Sequence, residues 1–218
     1  MDKIVQEDTL KHQGMRRKMI EELSAKERYD PAVLAAMMNV PRHFFLDPIF
    51  VQQAYSDTAF QIGAKQTISH PSTVAYQTTQ LNVKKGDKIL EIGTGSGYQT
   101  CVLLELGAKV FSVERQRELY ESTGKLLKDM GRQPKLFYGD GYKGLPTYAP
   151  FDKILVTCGA PFVPEDLLQQ LKVGGILVIP VGEGKVQLMT RITRSGEQSF
   201  EKEELKNFSF VPMLSSRA

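Results

Sequence analysis

Residues 88–97 have the sequence KILEIGTGSG, a short apolar run that leads directly into glycines at positions 93, 95 and 97. An apolar run of this length, bounded by turn residues, is typical of a buried strand. Glycine allows positive φ angles and close approach of the main chain to a rigid ligand. Residues 98–106 have a helical pattern, so free N–H groups and a partial positive charge follow the glycines. The stretch therefore predicts a strand–loop–helix unit that holds a ligand against bare backbone.

The spacing of these glycines separates two classes of cofactor. A dinucleotide fingerprint requires G-x-G-x-x-G/A. Counted from Gly93, the last position of that pattern is Tyr98; counted from Gly95, it is Thr100. Neither is glycine or alanine, which disfavours a nicotinamide dinucleotide. The remaining pattern, E-x-G-x-G-x-G over residues 91–97, resembles the S-adenosylmethionine motif of class I methyltransferases.

Short apolar runs alternate with helical stretches from residue 88 onward. The apolar runs are 88–92, 109–114, 135–139, 151–158 and 175–180, and the helical stretches 98–106 and 117–130 separate the early ones. Such alternation predicts a doubly wound α/β fold, in which helices cover both faces of a mostly parallel sheet. The last two runs, 186–194 and 205–214, have short connections and are predicted to be antiparallel.

The part of the chain before this α/β body is predicted to be helical and then irregular. Apolar residues recur at helical spacing at Ile4, Val5, Met15, Met19, Ile20 and Leu23. The adjacent basic run 16–18 is expected on the exposed face of that helix. Asp30-Pro31 predicts the start of a second helix, which should stop before Pro41. No period persists over 41–66, and a further helix is expected from Pro71 to about Leu81.

We therefore expect a single domain with three parts. Residues 1–66 form a helical and irregular covering segment, residues 67–182 form the α/β core that binds the cofactor, and residues 183–218 form a β-rich segment on the substrate side.

Composition narrows the function classes. The net charge of +3, from 28 basic and 25 acidic residues, gives no basic tract of the kind that nucleic acids require, so no nucleic-acid partner is expected. Cys101 and Cys158 lie far apart, which disfavours a disulfide framework or a zinc site and favours a reducing compartment. The chain shows neither a signal peptide nor an apolar stretch that could span a bilayer. The expectation is a cytoplasmic protein without a membrane partner.

Three side chains at predicted strand ends are candidates for cofactor contacts, because ligands of parallel sheets bind at the carboxyl ends of the strands. Glu114 ends the second strand and is placed to accept hydrogen bonds from ribose hydroxyls; the alternative is a surface helix cap. Asp140 follows the third strand and is placed to accept the adenine amino group; the alternative is a turn former. Thr157 ends the fourth strand, with strand filler as its alternative.

Several motifs together resemble the protein-L-isoaspartate O-methyltransferase family, over residues 33 to 212. The most discriminating is Gln66-Thr67-Ile68-Ser69-x-Pro71, followed by residues 91–98. Further matches are Val40-Pro41-Arg42, Gly139-Asp140-Gly141, Pro150-Phe151-Asp152, Gly174-Gly175-x-Leu177-x-x-Pro180-Val181-Gly182 and Phe210-Val211-Pro212. The resemblance implies a Rossmann-like methyltransferase fold.

The resemblance also implies a reaction. The cofactor would be S-adenosylmethionine, which becomes S-adenosylhomocysteine. The substrates would be proteins and peptides that contain L-isoaspartyl residues, methylated on the free α-carboxylate. The resulting ester carries a good leaving group, so the chain recyclises to a succinimide. The succinimide then hydrolyses partly to normal aspartate. We expect the enzyme to act as a monomer.

The site residues implied by the resemblance follow the motif positions. Ser69 is the expected catalytic residue, which would hydrogen-bond and orient the acceptor carboxylate; without the family match it would be interpreted as a helix cap. The expected cofactor-binding residues are Thr67, Ile68, Glu91, Gly93, Thr94, Gly95, Gly97, Glu114, Arg115, Asp140, Gly141 and Thr157. The expected substrate-binding residues are Ile68, Ser69, Val211 and Pro212, and no metal ligand is expected.

Two other functions stay open at this stage. A class I methyltransferase could act on RNA or a small molecule, although residues 157–160 lack the Asn/Asp-Pro-Pro-aromatic motif of amino-group methyltransferases. A cofactor-binding remnant could serve as a non-catalytic module, although the intact glycine loop, Glu114 and Ser69 argue against decay. The chain departs from the family pattern at residues 70–74, 157–161 and 213–215.

Overall fold

The computed structural model describes residues 7–218. Ile4 and Val5, predicted in the first helix, lie outside the described residues. Six α-helices are present in this range: α1 (Leu10–Lys26), α2 (Pro31–Asn39), α3 (Pro71–Leu81), α4 (Tyr98–Glu105), α5 (Arg117–Asp129) and α6 (Glu165–Gln169). Nine strands accompany them: β1 (Phe60–Gly63), β2 (Gln66–Ile68), β3 (Lys88–Ile92), β4 (Lys109–Glu114), β5 (Lys135–Tyr138), β6 (Phe151–Val156), β7 (Leu171–Val181), β8 (Gln187–Arg194) and β9 (Phe200–Phe208).

Seven strands form one sheet in the order β5-β4-β3-β6-β7-β8-β9. Strands β5, β4, β3, β6 and β7 are parallel, and β8 and β9 continue the sheet in antiparallel pairing. The chain moves from β3 outward through β4 to β5, and then returns to place β6 on the other side of β3. This reversal opens a crevice at the carboxyl ends of β3 and β6, the usual ligand position in such sheets. The predicted doubly wound α/β fold is confirmed.

Side chains alternate across the two buried faces of the sheet, as the two-residue period of a strand dictates. On β3, Ile89 belongs to a core that also contains Val102 of α4. Its neighbours Leu90 and Ile92 belong to the opposite core, which contains Leu167 of α6. Burial on both faces explains why the central strands have continuous apolar sequences.

The second and third helices begin as their sequence signals predict. Asp30 caps α2 through a side-chain bond to Ala32 N, and Pro31 occupies the first turn. Pro71 opens α3 in the same way. Both cysteines are free thiols. Among residues 7–218, no helix combines the length and the apolar composition needed to cross a bilayer.

The expectation that the basic run 16–18 is exposed is wrong for Arg16, which is only 5% exposed. Its guanidinium donates to both carboxylate oxygens of Asp8, at 2.9 Å each, and to Met38 O at 2.6 Å. It also donates to Tyr55 Oη at 3.0 Å. Arg16 therefore joins α1 to the later part of the covering segment, residues 41–66, and its charge is compensated by a carboxylate rather than by water.

Residues 41–66, the second part of the covering segment, have more regular structure than their sequence predicts. Two short 3₁₀ helices span Arg42–Phe45 and Pro48–Gln53, and β1 pairs with β2 in an antiparallel hairpin. The hairpin turn places Ala64 and Lys65 at φ angles of 46° and 56°. Neither residue is the glycine or asparagine that normally signals such a turn, so the sequence did not predict the hairpin.

The last strand lies earlier than predicted. Strand β9 ends at Phe208, whereas the prediction placed it over 205–214. Its first half, Phe200 to Glu204, is charged because an edge strand faces solvent, which hides the apolar alternation. Beyond β9 the chain leaves the sheet edge and crosses to the crevice: Gly159 N donates to Val211 O at 2.8 Å, and Met213 N donates to Gly159 O at 2.7 Å.

Candidate active site

A cavity of about 840 Å³, partly open to solvent, lies at the carboxyl ends of β3, β4 and β6. Twelve of the fifteen predicted site residues line it: Thr67, Ile68, Ser69, Gly93, Thr94, Gly95, Glu114, Arg115, Gly141, Thr157, Val211 and Pro212. Glu91, Gly97 and Asp140 are not among the lining residues. The structure therefore brings together segments that are up to 145 positions apart in the sequence (212 − 67).

The glycine loop after β3 fits a ligand because its backbone, without side chains, faces this cavity. Gly93 has a φ of 95°, and a Cβ atom there would lie 2.6 Å from Thr157 Oγ1. Gly97 has a φ of 86°, and a Cβ atom there would lie 2.8 Å from Thr123 Cγ2. Both contacts are shorter than side chains tolerate, so the loop can pack this closely against β6 and α5 only with glycine.

Glu114 holds the loop and faces the cavity at the end of β4. Its Oε2 accepts a hydrogen bond from Gly95 N at 2.9 Å, and its Oε1 accepts one from Gln116 N at 2.8 Å. Thr123 Oγ1 donates to Gly95 O at 2.7 Å from the other side. Each carboxylate oxygen has a second acceptor site, so Glu114 can still accept hydrogen bonds from a ligand diol. The helix-cap alternative accounts for only one of its two present bonds.

Glu91 does not line the cavity but lies beneath the glycine loop, fully buried. Thr100 Oγ1 and Ser112 Oγ both donate to its Oε2, at 2.5 Å and 2.7 Å. Ser112 Oγ also lies 2.6 Å from Thr94 Oγ1, which connects the network to the loop. Burial raises the pKa of Glu91 to about 7. The structure thus places Glu91 as a support for the loop, and its direct contact with a cofactor stays a prediction.

Replacing Glu91 with glutamine should flatten the pH dependence of stability. The carboxyl pKa is about 7 in the fold against 4.5 for a free glutamate side chain, so the folded state binds the proton more tightly. Its contribution is full below pH 4.5 and is lost as the pH rises through 7, a change of about 3 kcal/mol. Urea unfolding at about pH 5 and about pH 8 measures this loss in the wild type. An equal loss in Glu91→Gln would show that another group is responsible.

Asp140 is engaged by the backbone outside the cavity. Its Oδ1 accepts from Tyr142 N at 3.0 Å, which caps a short 3₁₀ helix, and its Oδ2 accepts from Ser216 N at 2.8 Å. This placement favours the turn-forming alternative, while the adenine contact stays a prediction. Gly141 does line the cavity. Thr157 is more than strand filler, since its Oγ1 lies 2.9 Å from Ile92 O and 2.7 Å from Gly93 O.

Ser69 lies between β2 and α3, and its side chain does not cap the helix. The N-cap position belongs to His70, and the free N–H of Ser72 donates to Asp57 Oδ1 at 2.9 Å. Within residues 7–218, the Ser69 hydroxyl has no hydrogen-bond partner, while it lines the cavity. The hydroxyl is therefore available to a ligand, and the capping alternative lacks a contact.

Arg42 fixes the backbone of Ser69 and was missed as a site residue. It is fully buried, and its Nη2 donates to Ser69 O at 2.7 Å and to Thr58 O at 3.3 Å. Its Nε donates to Ala54 O at 3.0 Å, and its guanidinium lies 4.9 Å from the ring centroid of Tyr98 on α4. Burial lowers the pKa of Arg42 to about 10, so the group stays charged at neutral pH.

Two buried amides in the cavity wall were also missed. Gln77 Nε2 donates to Gln99 Oε1 at 2.6 Å, and Gln99 Nε2 donates to Thr78 Oγ1 at 3.0 Å. This chain connects α3, which follows Ser69, to α4, which follows the glycine loop. Gln77 and Gln99 are polar residues within helical stretches, and nothing in the sequence indicated that their side chains would be buried.

One cluster outside the cavity has donor atoms suited to a cation. Asp8, His12 and His43 place one ligand atom each within 4.8 Å of one another. However, Arg16 donates to both oxygens of Asp8, and His43 Nδ1 lies 2.7 Å from Tyr55 Oη. A cation would compete with a guanidinium, so we interpret this cluster as a structural network.

A mostly parallel sheet, a glycine loop with E-x-G-x-G-x-G spacing at its central strand and an acidic side chain at the end of the next strand are together the features of a class I methyltransferase. Comparison with known proteins narrows the class. Residues 14–218 match the family model for protein-L-isoaspartate(D-aspartate) O-methyltransferase. The protein-L-isoaspartate O-methyltransferases of Christiangramia forsetii and Flavobacterium johnsoniae are each 56% identical, over 96% of this chain and 99% of theirs. The chain therefore belongs to the protein-L-isoaspartate O-methyltransferase family, which confirms the predicted resemblance.

A solved structure from Plasmodium falciparum supports the same assignment. This protein-L-isoaspartate O-methyltransferase, in complex with S-adenosyl-L-homocysteine, superposes with a TM-score of 0.80 at 26% identity. The alignment covers 91% of this chain and 98% of that one. Its fold agrees with the architecture described above.

Proposed function

We propose that this chain transfers the methyl group of S-adenosylmethionine to the free α-carboxylate of L-isoaspartyl residues in damaged proteins and peptides. The observation that carries the proposal is the convergence on one cavity of the glycine loop, the partnerless Ser69 hydroxyl and the Val211-Pro212 segment. The glycine loop and the Glu114 carboxylate suit the donor. The Ser69 hydroxyl and the Val211-Pro212 segment, which would face the substrate main chain, suit the acceptor. Family membership supplies the chemical identity of both.

The protein does not need to remove a proton from the acceptor, because the acceptor carboxylate is already an anion at neutral pH. When bound, the donor supplies an electrophilic methyl group on a sulfonium. An oxygen of the acceptor carboxylate attacks that carbon, a C–O bond forms, and the C–S bond breaks with its electron pair left on sulfur. Holding two reactants in line contributes roughly 7–11 kcal/mol to such a step. Alignment and exclusion of water are therefore the main tasks of the chain.

Ser69 orients the acceptor in this proposal. Its hydroxyl donates a hydrogen bond to the carboxylate and does not act as a covalent nucleophile. Val211 and Pro212 lie against the substrate main chain, which leaves the side chains of the substrate unread and allows many sequences to be repaired. The neighbouring backbone amide nitrogen then attacks the ester carbonyl, the C–O bond to the methoxy group breaks, methanol leaves with the amide proton, and the resulting succinimide hydrolyses partly to normal aspartate.

On the donor side, Glu114→Ala should weaken the binding of S-adenosylhomocysteine about 30-fold, since hydrogen bonds to a charged acceptor are worth roughly 1.5–3 kcal/mol. Isothermal calorimetry measures the effect. Glu121→Ala is the matched control, because Glu121 is an exposed acid of α5 that pairs with Arg117. An unchanged Kd in Glu114→Ala would remove this carboxylate from the donor site.

The proposed substrate is tested with two peptides that differ only in one linkage. The enzyme should transfer labelled methyl groups from S-adenosylmethionine to an isoaspartyl peptide and not to its normal aspartyl twin. Mass spectrometry of the product should find the ester on the α-carboxylate and, later, a succinimide. Equal labelling of both peptides, or labelling of RNA or a small molecule instead, would defeat the substrate assignment.

We further propose that the chain works as a monomer in the cytoplasm, without a nucleic-acid partner. Two free cysteines fit a reducing compartment, and the net charge of +3 is too small to attract a polyanion strongly. Sedimentation of the pure protein tests the oligomeric state.

A further inference from the structure

A second, smaller cavity adjoins the first at Ser69. The two cavities share Thr67, Ser69, Thr157 and Val211. The second cavity is further walled by Ala59, His70, Thr73, Ser209 and Phe210. Ser69 therefore faces two spaces, one next to the glycine loop and one next to the first turn of α3. If the donor lies against the glycine loop in the first cavity, an acceptor carboxylate at the junction of the two cavities can reach both Ser69 and the methyl group.

Thr73 is the feature of this second cavity that points to a ligand. Its residue is only 6% exposed, and its hydroxyl has no hydrogen-bond partner within residues 7–218. Thr73 and Ser69 line this cavity together. The two hydroxyls therefore face the same space.

The charge distribution around Thr73 suits an anion. Helix α3 has 11 residues, and the positive end of its dipole is at this first turn. His70 occupies the N-cap position without a side-chain cap bond, and its ring has no hydrogen-bond partner in the described chain. One carboxylate is nearby: Asp57 accepts from Ser72 N, but it also pairs with Lys26 at 3.2 Å and does not line the cavity.

We infer that Thr73 and His70 form, with Ser69, the subsite that holds the α-carboxylate of the isoaspartyl acceptor. Ser69 and Thr73 donate to the acceptor carboxylate from neighbouring positions, and the His70 ring donates an N–H bond from the rim. This inference rests on the proposed function. It adds two binding residues to the reaction.

The test uses Thr73→Val, which keeps the shape and removes the hydroxyl. Loss of one hydrogen bond to a charged group should lower kcat/KM for the isoaspartyl peptide about tenfold. The Kd of S-adenosylhomocysteine should not change. Thr73→Ser restores a hydroxyl and should recover most of the activity, and His70→Ala should lower kcat/KM without an effect on the donor Kd.

Thr79→Val is the matched control on the same helix. Thr79 Oγ1 accepts a hydrogen bond from Asp30 N at 3.1 Å and lines neither cavity. This variant should lower the Tm and leave kcat/KM of the folded enzyme unchanged, which separates helix stability from recognition.

Three results would overturn the inference: unchanged kcat/KM in Thr73→Val, a parallel loss of donor affinity, or no recovery in Thr73→Ser. Each of these leaves the proposed function intact if the wild type still methylates the isoaspartyl peptide and spares its aspartyl twin. A wild type that does not discriminate between the twins defeats the proposed function itself, and the inference with it.

Discussion

Replacing Ser69 with alanine is expected to lower kcat for isoaspartyl methylation about 100-fold, because the hydroxyl aligns the attacking carboxylate and alignment is a major contribution to such a step. The Kd of S-adenosylmethionine should stay within about twofold, because the donor is held by the glycine loop and Glu114 rather than by this hydroxyl. Stability should also be nearly unchanged, since His70, not Ser69, occupies the N-cap of α3. Single-turnover kinetics with an isoaspartyl peptide measure the chemical step.

Ser72→Ala is the control for this variant, because it removes a hydroxyl three positions away while the bond from Ser72 N to Asp57 remains. It should keep the wild-type kcat. A Ser69→Ala enzyme with full turnover would contradict the catalytic role, and an equal loss in both variants would point to a general disturbance of the first turn of α3.

The second large effect is expected at Arg42. Methionine there removes the donors of Ala54 O, Thr58 O and Ser69 O from a fully buried site. Unfolding free energy should fall by about 3 kcal/mol, at roughly 1 kcal/mol for each buried acceptor left without a donor. Because one of these acceptors belongs to Ser69, kcat should fall about tenfold in the molecules that stay folded. Urea unfolding and kinetics at low temperature measure the two effects separately.

Arg42→Lys distinguishes charge from geometry. Lysine keeps the charge but cannot reach three carbonyls with one planar fork, so it should recover stability only in part. Arg28→Met, at an exposed position, should leave both stability and kcat unchanged. If Arg42→Met lost stability but kept the wild-type kcat, Arg42 would be a structural residue with no influence on Ser69.

Local sequence patterns were sufficient for the α/β body. Strands β3 and β4 begin and end at the predicted residues, because a strand buried on both faces is mostly apolar and a charged residue or glycine marks its end. The glycine loop was predictable for a different reason, because its backbone conformation admits few residues other than glycine. Twelve predicted site residues converge on one cavity because strand ends and loops at one edge of a parallel sheet must meet there.

The features that were missed depend on contacts between distant segments. Arg16 and Arg42 are cations that a single sequence places on the surface. Their burial depends on partners far away in the chain, among them the Asp8 carboxylate for Arg16 and the carbonyls of residues 54, 58 and 69 for Arg42. The β1–β2 hairpin turns at Ala64 and Lys65, which carry no turn signal. Glu91 and Asp140 were predicted as cofactor contacts from motif position, while their bonds are made with the protein. The division of the chain into three functional parts stays a prediction.

The most direct test is a crystal structure of the enzyme with S-adenosylhomocysteine and an isoaspartyl peptide. The sulfur should lie beside the glycine loop of residues 93–97, and the α-carboxylate of the isoaspartyl residue should lie between the sulfur and Ser69, with Ser69 Oγ within about 3.2 Å of one carboxylate oxygen. A peptide bound away from Ser69, or a hydroxyl more than about 4 Å from the carboxylate and turned from it, would contradict the account.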